Sequence, residues 1–481
     1  MLFNSYEYIF FFLPITFFVY FLLLNKRLIV GAKGFLVFAS LFFYSWWNIA
    51  YLPLILTSML FNYVIGNTLN ENFQHIKVHK KSVLVFGVVI NLSLLGYFKY
   101  MDFFIENFNL LSSSSIPLLH LALPLAISFF TFQQIAYLVD SYRKETSEYD
   151  FLNYALFVTF FPQLIAGPIV HHKEMMPQFA SRWNLVKNYE NIALGLFIFS
   201  MGLFKKVVIA DTFAVWATHG FDVATTLNFF QAWATSLSYT FQLYFDFSGY
   251  TDMAIGAALL FNIKLPINFN SPYKALDIQD FWRRWHITLS RFLRDYIYIP
   301  LGGNRKGSFR TYNNLMATFI LGGIWHGAGW TFVFWGFMHG MALVIHRFWK
   351  ALGFTMPKVL AWFVTFNFIN IAWVFFRAKE WDDALKVLKG MLGFNSIHLE
   401  QNLEKITLLK IINIQDSIST SSMAYLFIGM LFLVTLFGKN SMQLSHSFIQ
   451  YKTVSAIVCA LVFIIAIYNL NNASDFLYFN F

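Results

Sequence analysis

Two histidines in the second half of the chain could carry out acid–base chemistry inside a membrane. His326 lies within the uncharged stretch NLMATFILGGIWHGAGWTFVFWGFMHG, and His286 lies upstream among arginines and tryptophans. A neutral imidazole can accept a proton from a hydroxyl, and it does so best when its pKa is close to the working pH. Because an ionisable group within an apolar helix is costly, it marks a functional site by default.

Glycines surround the first of these histidines: Gly322, Gly323, Gly327 and Gly329. Their lack of a side chain would allow another backbone or a substrate to approach closely. We therefore expect His326 to be the catalytic residue. The alternative is a buried histidine that only packs.

The second histidine belongs to the charged run DFWRRWHITLSRFLRDYIYIPLGGNRKGS. Read as one helix, this run places opposite charges one turn apart at Asp280–Arg284 and Arg291–Asp295. Such a segment could simply anchor the fold at the membrane surface. It could also form a basic vestibule that receives an anionic donor, such as the phosphates of a coenzyme.

Other reaction classes find little support in the sequence. It contains no G-x-S-x-G, H-E-x-x-H or C-x-x-C motif, so a serine-hydrolase elbow, a zinc protease site and a redox pair are disfavoured. The single cysteine, Cys459, excludes an intrachain disulfide. The spacing of His326, His339 and His346 does not give two facing pairs of haem ligands, and we expect no bound metal.

The composition indicates what must hold these residues. Hydrophobic residues make up 58% of the 481 residues and charged residues only 12%, about half the usual charged share of a soluble domain. The apolar runs are continuous rather than alternating, which favours membrane helices over a β-barrel. The net charge of +10 is typical of basic loops on the cytoplasmic side and does not point to nucleic acid.

Apolar segments of spanning length, nearly all of them uncharged, recur along the chain and predict about 11–13 membrane segments. The main candidates are Tyr8–Leu24, Phe35–Tyr51, Leu52–Asn70, Ser82–Phe98, Ile116–Val139, Phe151–Val170, Ile192–Ala210, Thr226–Phe245, Leu315–Phe337, Leu360–Phe376, Ser421–Phe437 and Val454–Leu470. Two shorter segments, Met253–Ile263 and Met338–His346, could be partial helices.

Basic residues predict the orientation of these segments. The block Arg283–Arg310 is the most basic, so we place it in the cytoplasm. Lys26 and Arg27 follow the first segment, which predicts a retained helix with its N-terminus outside. The stretch Trp381–Leu392 is typical of an amphipathic helix at the membrane surface.

Four segments resemble the membrane-bound O-acyltransferase family: FFPQLIAGPI (160–169), FDFSGYTDMAIGAALLFNIKLPINFNSPY (245–273), DFWRRWHITLSRFLRDYIYIPLGGNR (280–305) and GGIWHGAGWTFVFWGFMHG (322–340). The likeness is to its bacterial branch, which serves alginate and peptidoglycan O-acetylation and teichoic-acid D-alanylation. It covers most of the chain, with a hallmark core over about residues 120–350. It implies an all-α polytopic fold, an annular core of tilted helices around a central tunnel.

The resemblance also implies roles for particular residues. The family histidine deep in the tunnel corresponds to His326, and the second hallmark histidine corresponds to His286, as a supporting residue at the cytoplasmic mouth. No cofactor would be bound, and acetyl-CoA would be the donor substrate. Arg283, Arg284 and Arg305 could hold its phosphates. The acyl group would leave toward a separate periplasmic partner, an SGNH-type acetyltransferase or a related envelope protein.

The C-terminal tail, residues 471–481, ends in SDFLYFNF. Its aromatic residues could form an interfacial belt. The pattern also resembles one in the bacterial branch, where a terminal tyrosine is implicated as an acyl carrier, and this would make Tyr478 an acyl relay. A phenol with a pKa near 10 becomes a nucleophile once a base such as His326 removes its proton.

We therefore expect one integral-membrane domain over residues 1–481, multi-pass in a bacterial inner membrane. The expected activity is transfer of an acetyl group for O-acetylation of a cell-envelope polysaccharide, with alginate, peptidoglycan and other polymers left open. A polysaccharide exporter or acetyl transporter is the alternative, although we see no internal repeat of the kind that transporters use. A scaffold for an envelope complex is the third possibility, and it would not need His326.

Overall fold

The structure is a computed structural model that describes residues 1–70, 79–146, 148, 150–397, 421–450, 452–472, 474, 476 and 477. Within these residues the secondary structure is helical, with no β-strand. The prediction of an all-α protein is thus confirmed.

The structure describes twenty α-helices, numbered here in chain order. The first eight are α1 (Leu13–Asn25), α2 (Ile29–Ser45), α3 (Leu52–Leu69), α4 (Lys80–Ser112), α5 (Ile127–Tyr142), α6 (Phe151–Thr159), α7 (Phe161–Leu164) and α8 (His172–Ala180). The next six are α9 (Tyr189–Phe204), α10 (Asp211–Thr218), α11 (Phe229–Leu260), α12 (Ile278–Arg284), α13 (Ile287–Leu293) and α14 (Gly307–His326). The last six are α15 (Trp330–Ala351), α16 (Lys358–Arg377), α17 (Trp381–Met391), α18 (Ser421–Phe437), α19 (Ser441–Gln450) and α20 (Lys452–Tyr468).

The chain divides into two compact units by its internal contacts. One comprises Met1–Ser200 and Tyr250–Ile267, and the other comprises Met201–Gly249 and Asn268–Phe481. Both candidate catalytic histidines belong to the second unit. The predicted single domain over residues 1–481 stays a prediction.

Several polar groups buried in the first unit pair with each other. Asn62 on α3 and Asn91 on α4 exchange amide hydrogen bonds of 2.7 and 3.1 Å. The Tyr44 hydroxyl on α2 donates to the carbonyl of Leu125 at 3.1 Å. Such pairs between apolar helices replace the hydrogen bonds that water cannot supply in a bilayer.

Five helical stretches in the described part of the chain are long and apolar enough to cross a bilayer: Glu7–Asn25, Ile49–Leu69, Lys80–Ser112, Tyr189–Val223 and Lys358–Arg377. Shorter apolar helices lie at 29–45, 423–437 and 453–468. The chain is therefore a multi-pass membrane protein. The predicted number of spans, the annular arrangement and the central tunnel stay predictions.

The predicted single span Leu315–Phe337 is wrong. Two helices, α14 and α15, form a hairpin there, and His326 is the last residue of α14. Gly327 and Gly329 take extended backbone angles between them. The helices pack closely because a Cβ atom on Gly323 would lie 2.4 Å from the carbonyl oxygen of Phe332, so only glycine fits.

The charged run is likewise two helices rather than one. Between α12 and α13, His286 takes the left-handed conformation with φ 42° and ψ 54°. The predicted pair of Arg284 with Asp280 is present at 2.9 Å. Asp295 pairs with its neighbour Arg294 at 2.7 Å, where the chain leaves regular α-helical geometry after α13.

Other predicted segments differ from the observed helices at their boundaries. The segment predicted over Phe151–Val170 breaks at Phe160 into α6 and α7, and the segment predicted from Ile116 becomes helical only at Ile127. The short candidate Met253–Ile263 is mostly the end of α11. The helix predicted over Trp381–Leu392 is present as α17.

Candidate active site

His326 lies in an aromatic enclosure and is only 4% exposed. The ring of Trp325 lies 4.9 Å from its imidazole, and Trp335 of α15 and Phe376 of α16 each lie 5.1 Å away, all measured between ring centroids. Three helices therefore fix the plane of the imidazole by ring contacts. Because water is excluded, electrostatic interactions with this residue are stronger than they would be in solvent.

His339 is a second buried histidine in the same enclosure. Its ring lies 4.6 Å from Trp335, the same indole that contacts His326. The Trp282 indole donates to His339 Nδ1 at 3.2 Å. Since an indole N–H can only donate, Nδ1 must be unprotonated, and this histidine is neutral. Sequence reasoning considered His339 only as a haem ligand, although its position one turn beyond Trp335 could have suggested a shared site.

His286 is completely buried and its imidazole has a defined tautomer. Asn268 Oδ1 accepts from the backbone N–H and the hydroxyl of Thr288, at 3.1 and 3.0 Å. This oxygen also lies 3.1 Å from His286 Nδ1. Because the oxygen can only accept, Nδ1 carries the proton and Nε2 keeps its lone pair.

Burial also holds His286 in its neutral form. The residue lies outside the candidate membrane-spanning helices, and burial lowers its pKa from 6.5 to about 3. The imidazole is therefore a neutral group at physiological pH. Although the sequence suggested a place at the basic edge of the membrane, the structure puts the side chain in the interior.

One tryptophan, Trp325, lies near both histidines. The ring of Trp325 lies 6.5 Å from His286 and 4.9 Å from His326. On the other side of His286, Phe247 of α11 packs edge to face at 4.7 Å. The structure thus brings together two histidines that lie in different sequence motifs.

The three candidate donor-binding arginines are not equivalent. Arg284 is partly exposed and already pairs with Asp280, whereas Arg283 and Arg305 are exposed. Their role toward a donor stays a prediction.

The C-terminal tail reaches this region just before its candidate relay residue. Phe476 is fully buried, and its ring lies 5.9 Å from that of Phe247, which also contacts His286. The backbone N–H of Leu477 donates to Asp246 at 3.0 Å. Tyr478 itself lies outside the described residues.

Sequence reasoning missed a buried ion cluster beside the tail. Lys206 Nζ lies 2.7 Å from Asp211 and 2.9 Å from Asp246. The available signal was the presence of charged residues inside otherwise apolar helices, which are costly and mark functional positions.

Helices that can span a bilayer and buried neutral imidazoles define a polytopic membrane protein with a site for acid–base chemistry. A model described as the membrane-bound O-acyltransferase family matches residues 38–379. The chain belongs to this family and is an O-acyltransferase, as the sequence motifs predicted.

Named relatives extend this match. A peptidoglycan O-acetyltransferase of Helicobacter pylori is 53% identical, over 100% of this chain and 98% of its own length. A probable alginate O-acetylase of Pseudomonas aeruginosa is 41% identical, over 83% of this chain and 76% of its own. A teichoic acid D-alanyltransferase of Bacillus subtilis is 27% identical, over 53% of this chain and 69% of its own.

Proposed function

We propose that this protein moves an acetyl group from cytoplasmic acetyl-CoA across the bacterial inner membrane for O-acetylation of peptidoglycan. The observation that carries the chemistry is the pair of buried histidines, His326 and His286, which both lie near the indole ring of Trp325. The preference for peptidoglycan over alginate rests on the Helicobacter pylori relative, whose identity is higher and extends over nearly its whole length.

In this proposal His326 acts as the general base. It takes the proton of a hydroxyl whose oxygen attacks the thioester carbon of the donor. The carbon–sulfur bond breaks, coenzyme A leaves as a thiolate, and His326 returns the proton to that sulfur. An ester and free coenzyme A are the products, so atoms and charges balance.

His286 would support this step from the neighbouring position. Its Nδ1 proton is held by Asn268, which leaves Nε2 as a hydrogen-bond acceptor of fixed direction. A neutral imidazole with one fixed tautomer can accept a hydrogen bond from a hydroxyl, or relay a proton, without first having to release a proton of its own.

The hydroxyl in this proposal is that of Tyr478. Support comes from Phe476, which packs on the same phenylalanine ring as His286. Leu477, which directly precedes Tyr478 in the chain, donates its backbone N–H to Asp246, the residue before Phe247. A separate periplasmic protein, of SGNH type, would then take the acetyl group from the phenol and pass it to the polymer.

The donor would approach through the basic cytoplasmic segment. Arg283 and Arg305 are exposed and could pair with coenzyme phosphates through charge-assisted hydrogen bonds.

Tyr478→Phe tests the relay, because it keeps the ring and deletes one oxygen. Cells that lack the native gene would express either protein, and ester-linked acetate would be measured on purified peptidoglycan. We expect acetate to be lost with Tyr478→Phe at unchanged protein level, and the wild-type C-terminal peptide to carry an acetyl group on Tyr478 by mass spectrometry. Full acetylation by the variant would leave the tail only an interfacial role. Acetate found on alginate and not on peptidoglycan would show that alginate is the acceptor polymer.

A further inference from the structure

A buried ion cluster binds the C-terminal tail to the membrane helices. Lys206 lies on a widened helical turn, Lys205–Ala210, and its ammonium group contacts the carboxylates of Asp211 and Asp246 at 2.7 and 2.9 Å. Lys206 and Asp246 side chains are only 1% and 2% exposed. Burying three charged groups is costly, so a cluster of this kind needs an explanation beyond packing.

Each carboxylate of the cluster also binds the tail. Asp211 accepts from the hydroxyl of Ser474 at 2.6 Å and from its backbone N–H at 3.2 Å. The hydroxyl of Ser474 in turn accepts from Lys206 at 2.9 Å. Asp246 accepts from the backbone N–H of Leu477 at 3.0 Å. The cluster therefore holds the tail at two points, three residues apart.

The second of these points adjoins the histidine site. Asp246 precedes Phe247 on α11, and Phe247 contacts both Phe476 and His286. Asp246, which binds the tail backbone, and Phe247, which contacts the His286 ring, are therefore neighbours in the chain. Charge-assisted hydrogen bonds to backbone N–H groups fix both position and direction, which apolar contacts alone do less well.

We propose that Asp246, Asp211 and Lys206 are positioning residues for acyl transfer. They hold Ser474 and Leu477 in place, so that the proposed relay residue, Tyr478, follows a fixed stretch of chain beside the histidine site. This inference rests on the proposed relay function. The three residues act through the tail and contact no substrate.

Asp246→Asn tests this role most directly. The asparagine has nearly the same size but removes the negative charge that faces Lys206 and Leu477. The matched control is Asp222→Asn, which removes a carboxylate of the same unit that pairs with Arg377 and Lys379 instead of with the described residues of the tail. Ser474→Ala is a second variant. It removes the hydroxyl that bonds to Asp211 and Lys206, while these two residues stay paired with each other.

Two measurements separate positioning from general stability. The first is the rate at which a carboxypeptidase removes Leu477 and Phe476 from the protein in detergent micelles. The second is the rate of acetyl-Tyr478 formation from acetyl-CoA, with its KM for the donor. We expect Asp246→Asn to raise the first rate at least tenfold and lower the second at least tenfold at unchanged KM. Ser474→Ala should shift both in the same direction by less, and Asp222→Asn should shift neither.

The possible failures are distinguishable. Removal of Leu477 at the wild-type rate in both tail variants would overturn the inference, since the cluster would not hold the tail. A freed tail with full acetyl transfer would also overturn it, since position would not matter. If wild-type protein forms no acetyl-Tyr478 while the tail is still released by Asp246→Asn, the relay itself is wrong and the cluster has only a structural role.

Discussion

At the scale of single residues, the hydrogen-bond partners decide what each histidine can do. Asn268 can only accept at its Oδ1 atom, so His286 must donate from Nδ1. The Trp282 indole can only donate, so His339 must accept at Nδ1. Two buried histidines of one unit therefore have opposite tautomers, and both are neutral.

The low pKa of His286 predicts a pH dependence of stability. In the unfolded chain its pKa is near 6.5, whereas in the folded protein burial lowers it to about 3. Between these values the unfolded state binds a proton that the folded state does not. Stability should therefore fall as pH falls from 6.5 toward 3, by up to about 1.4 kcal/mol per pH unit within that window.

Thermal unfolding in detergent at pH 7 and pH 5 would measure this effect against His286→Asn. Asparagine tolerates the left-handed backbone of this position and does not titrate there. The wild-type protein should lose more stability than the variant on acidification, because other groups titrate equally in both. Equal losses would show that His286 is not kept neutral by the fold.

The sequence predicted which residues belong to the candidate site but not how they are arranged. His326 and His286 were recognisable because histidines are rare and conspicuous in apolar or arginine-rich motifs. Their joint contact with Trp325 was not, because it depends on the left-handed turn at His286 and on the end of α14 at His326. Sequence periodicity does not report either backbone feature.

At the scale of elements, glycine decides the hairpin of α14 and α15. A Cβ atom on Gly336 would lie 2.4 Å from the carbonyl oxygen of Phe319, and one on Gly323 would lie equally close to Phe332. The sequence predicted one span there because the stretch is uncharged and long. Hydropathy does not distinguish a straight helix from two closely packed helical ends, so the break was missed.

Gly323→Ala should therefore destabilise the protein. The added methyl group must displace backbone atoms of α15, and such overpacking typically costs about 1–3 kcal/mol. Gly96→Ala on α4 is the matched control, because a Cβ atom there meets nothing within 4 Å. Melting temperatures in detergent should fall for Gly323→Ala and stay equal or rise for Gly96→Ala. A rise for both would mean that the hairpin is not closely packed at Gly323.

At the scale of the whole molecule, composition alone identified a multi-pass helical membrane protein. Neither composition nor hydropathy could show the two compact units, because these depend on contacts between helices far apart in sequence. The direction of acyl transfer depends on orientation in the membrane, which basic residues predict. The basic segment before α14 should face the cytoplasm.

Labelling of single cysteines tests that orientation. Cys459→Ala removes the only native thiol, and Ser308→Cys then places one at an exposed position at the start of α14. A membrane-impermeant maleimide should label this cysteine only after the cells are permeabilised. Labelling in intact spheroplasts would show that this segment faces outward, which would contradict both the predicted orientation and the proposed direction of transfer.

The central claim, that His326 is the catalytic base of an O-acyltransferase, is tested most directly by His326→Ala. The measurement is ester-linked acetate on purified peptidoglycan from cells expressing the variant, normalised to the amount of membrane-inserted protein. Loss of a general base lowers rates by about 10²–10⁴-fold, so acetate should fall to background. The exposed His79→Ala serves as the matched control and should retain full acetylation. Near-normal acetate with a well-expressed His326→Ala protein would contradict the account.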